Sequence, residues 1–378
     1  MYLLKGGNLI MGRFMKESKW ATLMVIGVLF VLLLSACGGN EDEANGSENS
    51  NDGNENVAAE NANNENENEN ENANEPANDG ETYTLSVVLS LDEDNPQMLS
   101  FPIFTEIVEA ESDGRIQIDY VGGPEAIPPF TQGEAVQNGT VDMGWVAGSY
   151  YADVVPEVLG LSFSQLEYEE EVERGSIEYI SRFHEEKMNT KAIGRAGKGN
   201  FALHVGKDIE VNSTADFEGL DIRGTANYVP VIEAVGANAI ALEAGEIYSS
   251  LERGLIDGYA WTNYALPELG AQEITGSQIM PYFNEADQMI LANLDVWNDL
   301  PEDLQEIITN AAIDAYLESR DMVEEILAEE RIEMEEAGVQ YVELEDADRF
   351  EELVEENSWA WLAERVDNIE EMEEYFKQ

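Results

Sequence analysis

The chain has 378 residues, one cysteine, two histidines and a formal net charge of −60. One cysteine allows no internal disulfide, and two histidines leave little from which to build a zinc site or a Cys-His catalytic pair. The charge divides as +3 over residues 1–37, −14 over 38–82 and −49 beyond, so the folded part is itself acidic. Such a surface repels nucleic acid and anionic lipid, and it reads as adaptation to salty or alkaline surroundings.

Residues 1–37 read as an export signal: Lys16 and Lys19 precede an apolar run over 21–34 that stops at Ser35, Ala36 and Cys37. Leu-Ser-Ala-Cys followed by Gly38 and Gly39 resembles a bacterial lipobox, which implies lipidation at Cys37 and attachment to the outer face of the cell membrane. An uncleaved anchor helix is the alternative, and the start stays open among Met1, Met11 and Met15. Residues 38–82 are Asn, Glu, Ala and Gly with almost no aliphatic bulk. They cannot bury enough apolar surface to offset ordering entropy, so a disordered tether of roughly 40 Å reach is expected.

The folded part opens with the alternating strand Tyr-Thr-Leu-Ser-Val-Val-Leu-Ser-Leu over 83–91, a helix over about 97–111, and a strand over 115–121. A short helix ending at Gly139 and a strand over 140–147 follow. Residues 168–188 read as one charged amphipathic helix, and 191–197 as a strand leading into a second half. Residues 201–209 open that half. Its centre, 216–261, reads as three short strands (about 219–224, 238–242 and 255–261) separated by two helices. Strand, helix, strand, helix, strand is a parallel α/β unit whose ligands meet the carboxyl ends of the strands; here those ends carry Arg223, Glu243 and Trp261. The segments 135–145 and 250–261 match each other, each with a helix-ending Gly (Gly139, Gly254), an Asp and a Trp, so both halves look built on one unit. The glycines read as left-handed caps. From Pro301 a long helix to about Glu336 carries Leu304, Ile307, Ile308, Ala311 and Ala315 on one face; at about 50 Å it can brace both halves. Residues 346–376 form a further helix or pair, with Trp359 and Trp361 as packing residues.

Phe217-Glu-Gly-Leu-Asp-Ile-Arg223 followed by Gly245-Glu-Ile-Tyr-Ser-Ser-Leu-Glu-Arg-Gly-Leu-Ile-Asp-Gly258 resembles the solute-receptor subunit of tripartite ATP-independent periplasmic (TRAP) transporters, of the dicarboxylate-receptor type. The resemblance runs from about residue 84 into the long helix. It implies an α/β, two-lobed, periplasmic-binding-protein-like fold of type II with a long lobe-spanning helix. The expected division is lobe I over 83–198 and 287–326, and lobe II over 199–286 and 327–378, with two crossings that form a hinge. It further implies a receptor that captures a small organic acid between the lobes and delivers it to membrane subunits, without catalysis and without cofactor.

In the resembled family the arginine of this strand clamps the solute's carboxylate, and Arg223 holds that position. A planar fork of donors matches a carboxylate in two parallel hydrogen bonds; an ion-pair role is the alternative in so acidic a chain. Trp261 resembles the tryptophan of the Glu-Trp pair of a keto-acid-binding branch, with a plain core-packing role as the alternative. With Ala260 in place of the Glu that helps hold a cation in some members, no bound metal is expected. Tyr150 and Tyr151 stand where the first lobe would face the cleft, and Asn200 and Glu243 complete the candidates. A second arginine used by some members is not evident over 198–200. An ATP-driven importer's receptor or a sensor would share this architecture. A secreted hydrolase would need a nucleophile or acid–base spacing that the sequence lacks.

Overall fold

The computed structural model describes residues 80–378. The expected export signal, Cys37 and nearly all of the tether lie outside the described residues.

The first half begins with β1 (Tyr83–Leu89), α1 (Ser100–Glu111), β2 (Ile116–Gly122), α2 (Pro129–Gln137) and β3 (Met143–Ala147). It continues through α3 (Leu159–Ser162), α4 (Tyr168–Arg174), α5 (Ser176–Met188) and β4 (Thr190–Arg195). The second comprises β5 (Asn200–Gly206), β6 (Asp221–Arg223), α6 (Val229–Ala234), β7 (Asn238–Ile240), α7 (Ile247–Glu252), β8 (Gly258–Thr262) and β9 (Thr275–Glu285). The chain then returns as β10 (Gln288–Asn293), α8 (Leu294–Asp299) and α9 (Glu302–Glu336), and closes with β11 (Gln340–Glu343), α10 (Ala347–Ala363) and α11 (Ile369–Phe376).

Two mixed sheets result, ordered β2-β1-β3-β10-β4 and β11-β9-β5-β8-β6-β7. In each, three parallel strands are followed by one antiparallel strand that has arrived across a sheet-to-sheet passage: β10 beside β3, and β5 beside β8. Three passages carry the chain between the sheets: 196–199, 286–287, and the stretch 294–339 that holds α8 and α9 and leads from β10 to β11.

The internal match seen in the sequence is a shared device. Asp142 lies just before β3 and accepts the Ser86 amide at 2.8 Å, and Asp257 lies just before β8 and accepts the Asp221 amide at 2.9 Å. In return the Asp142 amide donates to the Ser86 carbonyl and the Asp257 amide to the Asp221 carbonyl. Each aspartate thus pins the incoming parallel strand to the first strand of its unit in the same register. Gly139 and Gly254 precede them at φ +68° and +66°, where a β-carbon would be strained, so glycine turns the helix into the strand.

One expected helix is two. Gly175 adopts φ +71° and ends α4, and the chain restarts as α5. Apolar periodicity carried through the break because Ile177 and Ile180 stay buried on the new axis. Elsewhere the strand expected from residue 140 begins at Met143, since 140–142 are spent on the turn and on the Asp142 bonds.

The 35-residue α9 buries Leu304, Ile308, Ala311, Ala312 and Ala315 in the core that includes Leu85, Phe104 and Trp145 of the first half. Its later turns place Val323 against Tyr264 and Ala265, and Arg331 over the Tyr341 ring at 4.2 Å. One helix thereby touches both sheets. Trp359 is buried in packing, its indole N–H donating to the Phe163 carbonyl at 3.0 Å.

Candidate functional site

β6 is three residues long because Asp221 is fastened to Asp257, Ile222 is buried beneath and Arg223 ends the strand. Arg223 is 1% exposed, an unusual place for a guanidinium without a carboxylate partner. Its Nε donates to the Leu242 carbonyl at 3.0 Å and its Nη1 to the Ala260 carbonyl at 3.2 Å. Nη2 is buried and has no hydrogen-bond partner among the described residues. No acidic side chain forms a salt bridge with it there, so the ion-pair alternative finds no support.

Trp261 lies beside it, with the guanidinium 5.7 Å from the indole centroid. The indole is 4% exposed, and its Nε1 likewise has no partner among the described residues. The first-half match, Trp145, stands one residue out of step relative to the shared aspartate and so faces away: it is fully buried and donates to Ser100 at 3.1 Å. Ala260, where some relatives of the resembled branch carry a cation-holding Glu, turns its side chain into the opposite core with Phe201 and Phe217.

The first half supplies Tyr150, in the turn just after β3. Burial raises its phenol above the ordinary pKa, and the neighbouring positive charge of Arg223 opposes the rise. The Phe130 ring meets Tyr150 edge to face at 4.8 Å. Tyr151 points elsewhere, its hydroxyl 3.1 Å from His184. The structure thus gathers Arg223, Trp261 and Tyr150 from three loops or strand ends. Glu243 follows the Leu242 carbonyl that Arg223 holds, and its side chain is spent on a capping box with Glu246. Asn200 stands on β5 with its amide donating to the Asn284 carbonyl at 3.0 Å, and no hydrogen bond joins it to the other three.

Three residues that the sequence reading missed complete the surroundings. Thr225 donates to Asn227 at 2.8 Å, and Asn227 donates to Asp287 at 3.3 Å. Asp287 is 3% exposed and also accepts the Ser149 amide at 2.6 Å. The only signal in the sequence was position: 225–227 immediately follow the Arg223 strand, while Asp287 sits at the return passage.

No arginine lies over 198–200, and the arginine just upstream, Arg195, has a different role. Arg195 is 1% exposed and is held by Glu171 through Nε at 2.7 Å and Nη2 at 2.8 Å, with its remaining donors on the Ala286 and Leu161 carbonyls. Burial works against its charge, but Glu171 and Glu285 outweigh that and hold its pKa above the ordinary value. It is a structural ion pair in which each of the three guanidinium nitrogens is held by protein.

The chemistry of the cluster is therefore that of an acceptor-binding site: two buried donor nitrogens, Arg223 Nη2 and Trp261 Nε1, lack partners among the described residues. A buried donor without a partner costs about 1 to 3 kcal/mol, which an anionic ligand would recover.

The model of the DctP family, described as bacterial extracellular solute-binding protein, family 7, matches residues 88–362. A monocarboxylate 2-oxoacid-binding periplasmic protein of Nostoc sp. is 29% identical over 217 residues, 54% of this chain and 58% of that protein. The match thus spans less than two thirds of that relative. Among solved structures, a TRAP periplasmic solute-binding protein of Roseobacter denitrificans with bound L-galactonate is 25% identical, with TM-score 0.65 over 77% of this chain and 99% of that one. A counterpart from Sulfitobacter with bound β-D-galacturonate shares the fold at 19% identity, with TM-score 0.68 over 78% of this chain and 99% of that one.

Proposed function

The chain belongs to the DctP family of extracellular solute-binding proteins, the receptors of TRAP transporters, and from that membership we propose that it captures a small organic acid between its two halves. The observation that carries this reading is the pair of free, buried donors on Arg223 and Trp261. A carboxylate oxygen on Nη2 and a second acceptor on Nε1 would satisfy both at once. A 2-oxo acid carries those two acceptors on adjacent carbons, and the Nostoc relative is a 2-oxoacid-binding protein; 2-oxo monocarboxylates are therefore the first class to test. Tyr150 closes the pocket from the first half. Glu243 and Asn200 line its approach, their side chains being already engaged in the second half.

In this reading the protein is a lipoprotein held at the extracytoplasmic membrane face by Cys37, and it hands its solute to TRAP membrane subunits. Thermal shift on a panel of pyruvate, 2-oxoisovalerate, L-galactonate, D-glucuronate and acetamide tests the solute class. A ligand at 100 times its Kd adds about 2.7 kcal/mol of stability. One or more acids should raise the melting temperature and acetamide should not; a flat response to every acid would overturn the assignment.

A further inference from the structure

Asp287 is the last residue of the return passage from β9 to β10, and its bonds run in two directions. Its carbonyl accepts the Gly148 amide at 2.8 Å and its Oδ2 the Ser149 amide at 2.6 Å, which fix it to the first half beside Tyr150. Its Oδ1 accepts the Asn227 amide at 3.3 Å, which belongs to the second half, four residues after Arg223. Asn227 is fully buried, and its Oδ1 is occupied by the Thr225 hydroxyl at 2.8 Å. That contact forces the asparagine NH2 towards Asp287, since the carbonyl end is taken. Of the four bonds in this set, three run within one half. Among these four, the link from Asn227 to Asp287 is the one that joins the loop behind Arg223 to the loop that carries Tyr150.

Resting on the reading of the chain as a receptor that closes over its solute, we propose that Asp287 is a latch, a positioning residue whose bond to Asn227 holds Tyr150 and Arg223 at closed-state distance. Separating the halves must break this bond, because Asn227 follows β6 in the second half while Asp287 is tied by Gly148 and Ser149 to the loop after β3 in the first. A charge-assisted bond of this kind is stronger than a neutral one, and it is shielded here from water. The ionisable groups that face the carboxylate are Tyr150 and Tyr151 from the loop after β3, Tyr228 at the start of α6 and Arg195 at the end of β4. Arg195 is committed to Glu171 and Glu285, so the carboxylate of Asp287 is left to Ser149 and Asn227.

The test is a spin-label distance between Asp119→Cys on β2 and Glu233→Cys on α6, both exposed, in the full chain carrying Cys37→Ala so that the labels are unique. It is made without added solute. The parent should show one short distance. Asp287→Asn replaces one acceptor oxygen by an NH2, so with the Ser149 N–H and the Asn227 NH2 aimed at its two ends one of them meets a donor, and Asn227→Asp at pH 8 sets two carboxylates against each other. Each should raise the ratio of long to short distance about fivefold, the effect of one hydrogen bond. The swapped double variant Asp287→Asn/Asn227→Asp restores a donor and an acceptor in exchanged places and should return the parent distribution. Asn227→Asp alone should reclose as the pH falls to 5, where the two carboxylates share a proton; loss of packing would not respond to pH. A parent-like distribution in Asp287→Asn, or a swapped variant as open as Asn227→Asp, would overturn the latch. Because no solute is added, the result stands even if no acid binds, and failure of the acid panel with an intact latch would sink only the solute assignment.

Discussion

Arg223 shows how far a single side chain can be read once its bonds are counted. Two of its three nitrogens donate to the backbone carbonyls of Leu242 and Ala260, which fixes the plane of the guanidinium, and the third, Nη2, has no partner among the described residues. Arg223→Ala should weaken binding of the best acid of the panel about tenfold to a hundredfold in calorimetry, with the unliganded melting temperature changed little. Arg223→Lys should recover only part, because an ammonium cannot hold both carbonyls and still present a planar donor. Equal affinity in Arg223→Ala would return the arginine to a structural role. Asp287 makes a separate prediction at this scale. Burial pushes its pKa up to about 6 from an ordinary 3.8, with the Ser149 amide opposing. The fold therefore favours the protonated form, so this group's contribution is complete below about pH 4 and is lost as the pH rises through 6. Between pH 3 and 7 the parent should lose about 3 kcal/mol relative to Asp287→Asn, from about 1.4 kcal/mol per pKa unit. Parallel stability curves for the two proteins would refute the shift.

Elements in this chain are set by short polar devices as much as by apolar periodicity. The paired bonds of Asp142 with Ser86 and of Asp257 with Asp221 fix the register of two parallel strand pairs, which explains why the matching segments share an aspartate at that spacing. The break between α4 and α5 is a second device. A β-carbon on Gly175 would meet only the Glu178 carboxylate, at 3.6 Å, so the site has room, and the obstacle is the backbone angle. Gly175→Ala should cost about 1 kcal/mol, the penalty of a left-handed alanine, seen as a lower urea midpoint with an unchanged slope. A neutral or stabilising result would mean that α4 and α5 can run on as one helix.

The whole molecule carries a net charge of −60, and its ion pairs engage a small part of that. Self-repulsion on this scale opposes the compact state. Raising NaCl from 20 mM to 1 M shortens the screening length from about 20 Å to 3 Å. The melting temperature should then rise by at least about 5 °C in the absence of solute; a flat or falling response would show that the acidic surface is already neutralised by specific contacts. Attachment belongs to the same scale. Cys37→Ala should move the protein from the membrane fraction to the medium or leave it as an unprocessed precursor, detected by fractionation and mass. Unchanged membrane attachment with normal processing would rule out the lipid anchor.

Local signals in the sequence determined much of this protein. Alternation in Tyr83–Leu89, the helical face of Leu304, Ile308, Ala311 and Ala315, and the glycine caps at 139 and 254 depend on neighbours within a few residues, and the structure has them as read. The ordered blocks around Arg223 likewise placed that residue at a strand end, because a parallel α/β unit leaves few choices. What only the tertiary structure decided concerns which partners meet across long separations. Arg195 and Arg223 are alike as letters, yet Glu171 satisfies one and nothing among the described residues completes the other. Two tryptophans one step out of register with their shared aspartates differ in their partners: the Trp145 N–H is taken by Ser100, while the Trp261 N–H has no partner among the described residues. Met372 and Phe376 at the end of the chain are buried among Leu159, Tyr179 and Ile180, some two hundred residues away, and Asp287 meets Asn227 across sixty. Periodicity shows which face of an element is apolar, but the partner of a buried charge is fixed only when the sheets bring distant segments together, since the cost of leaving that charge unpaired is felt only in the folded interior.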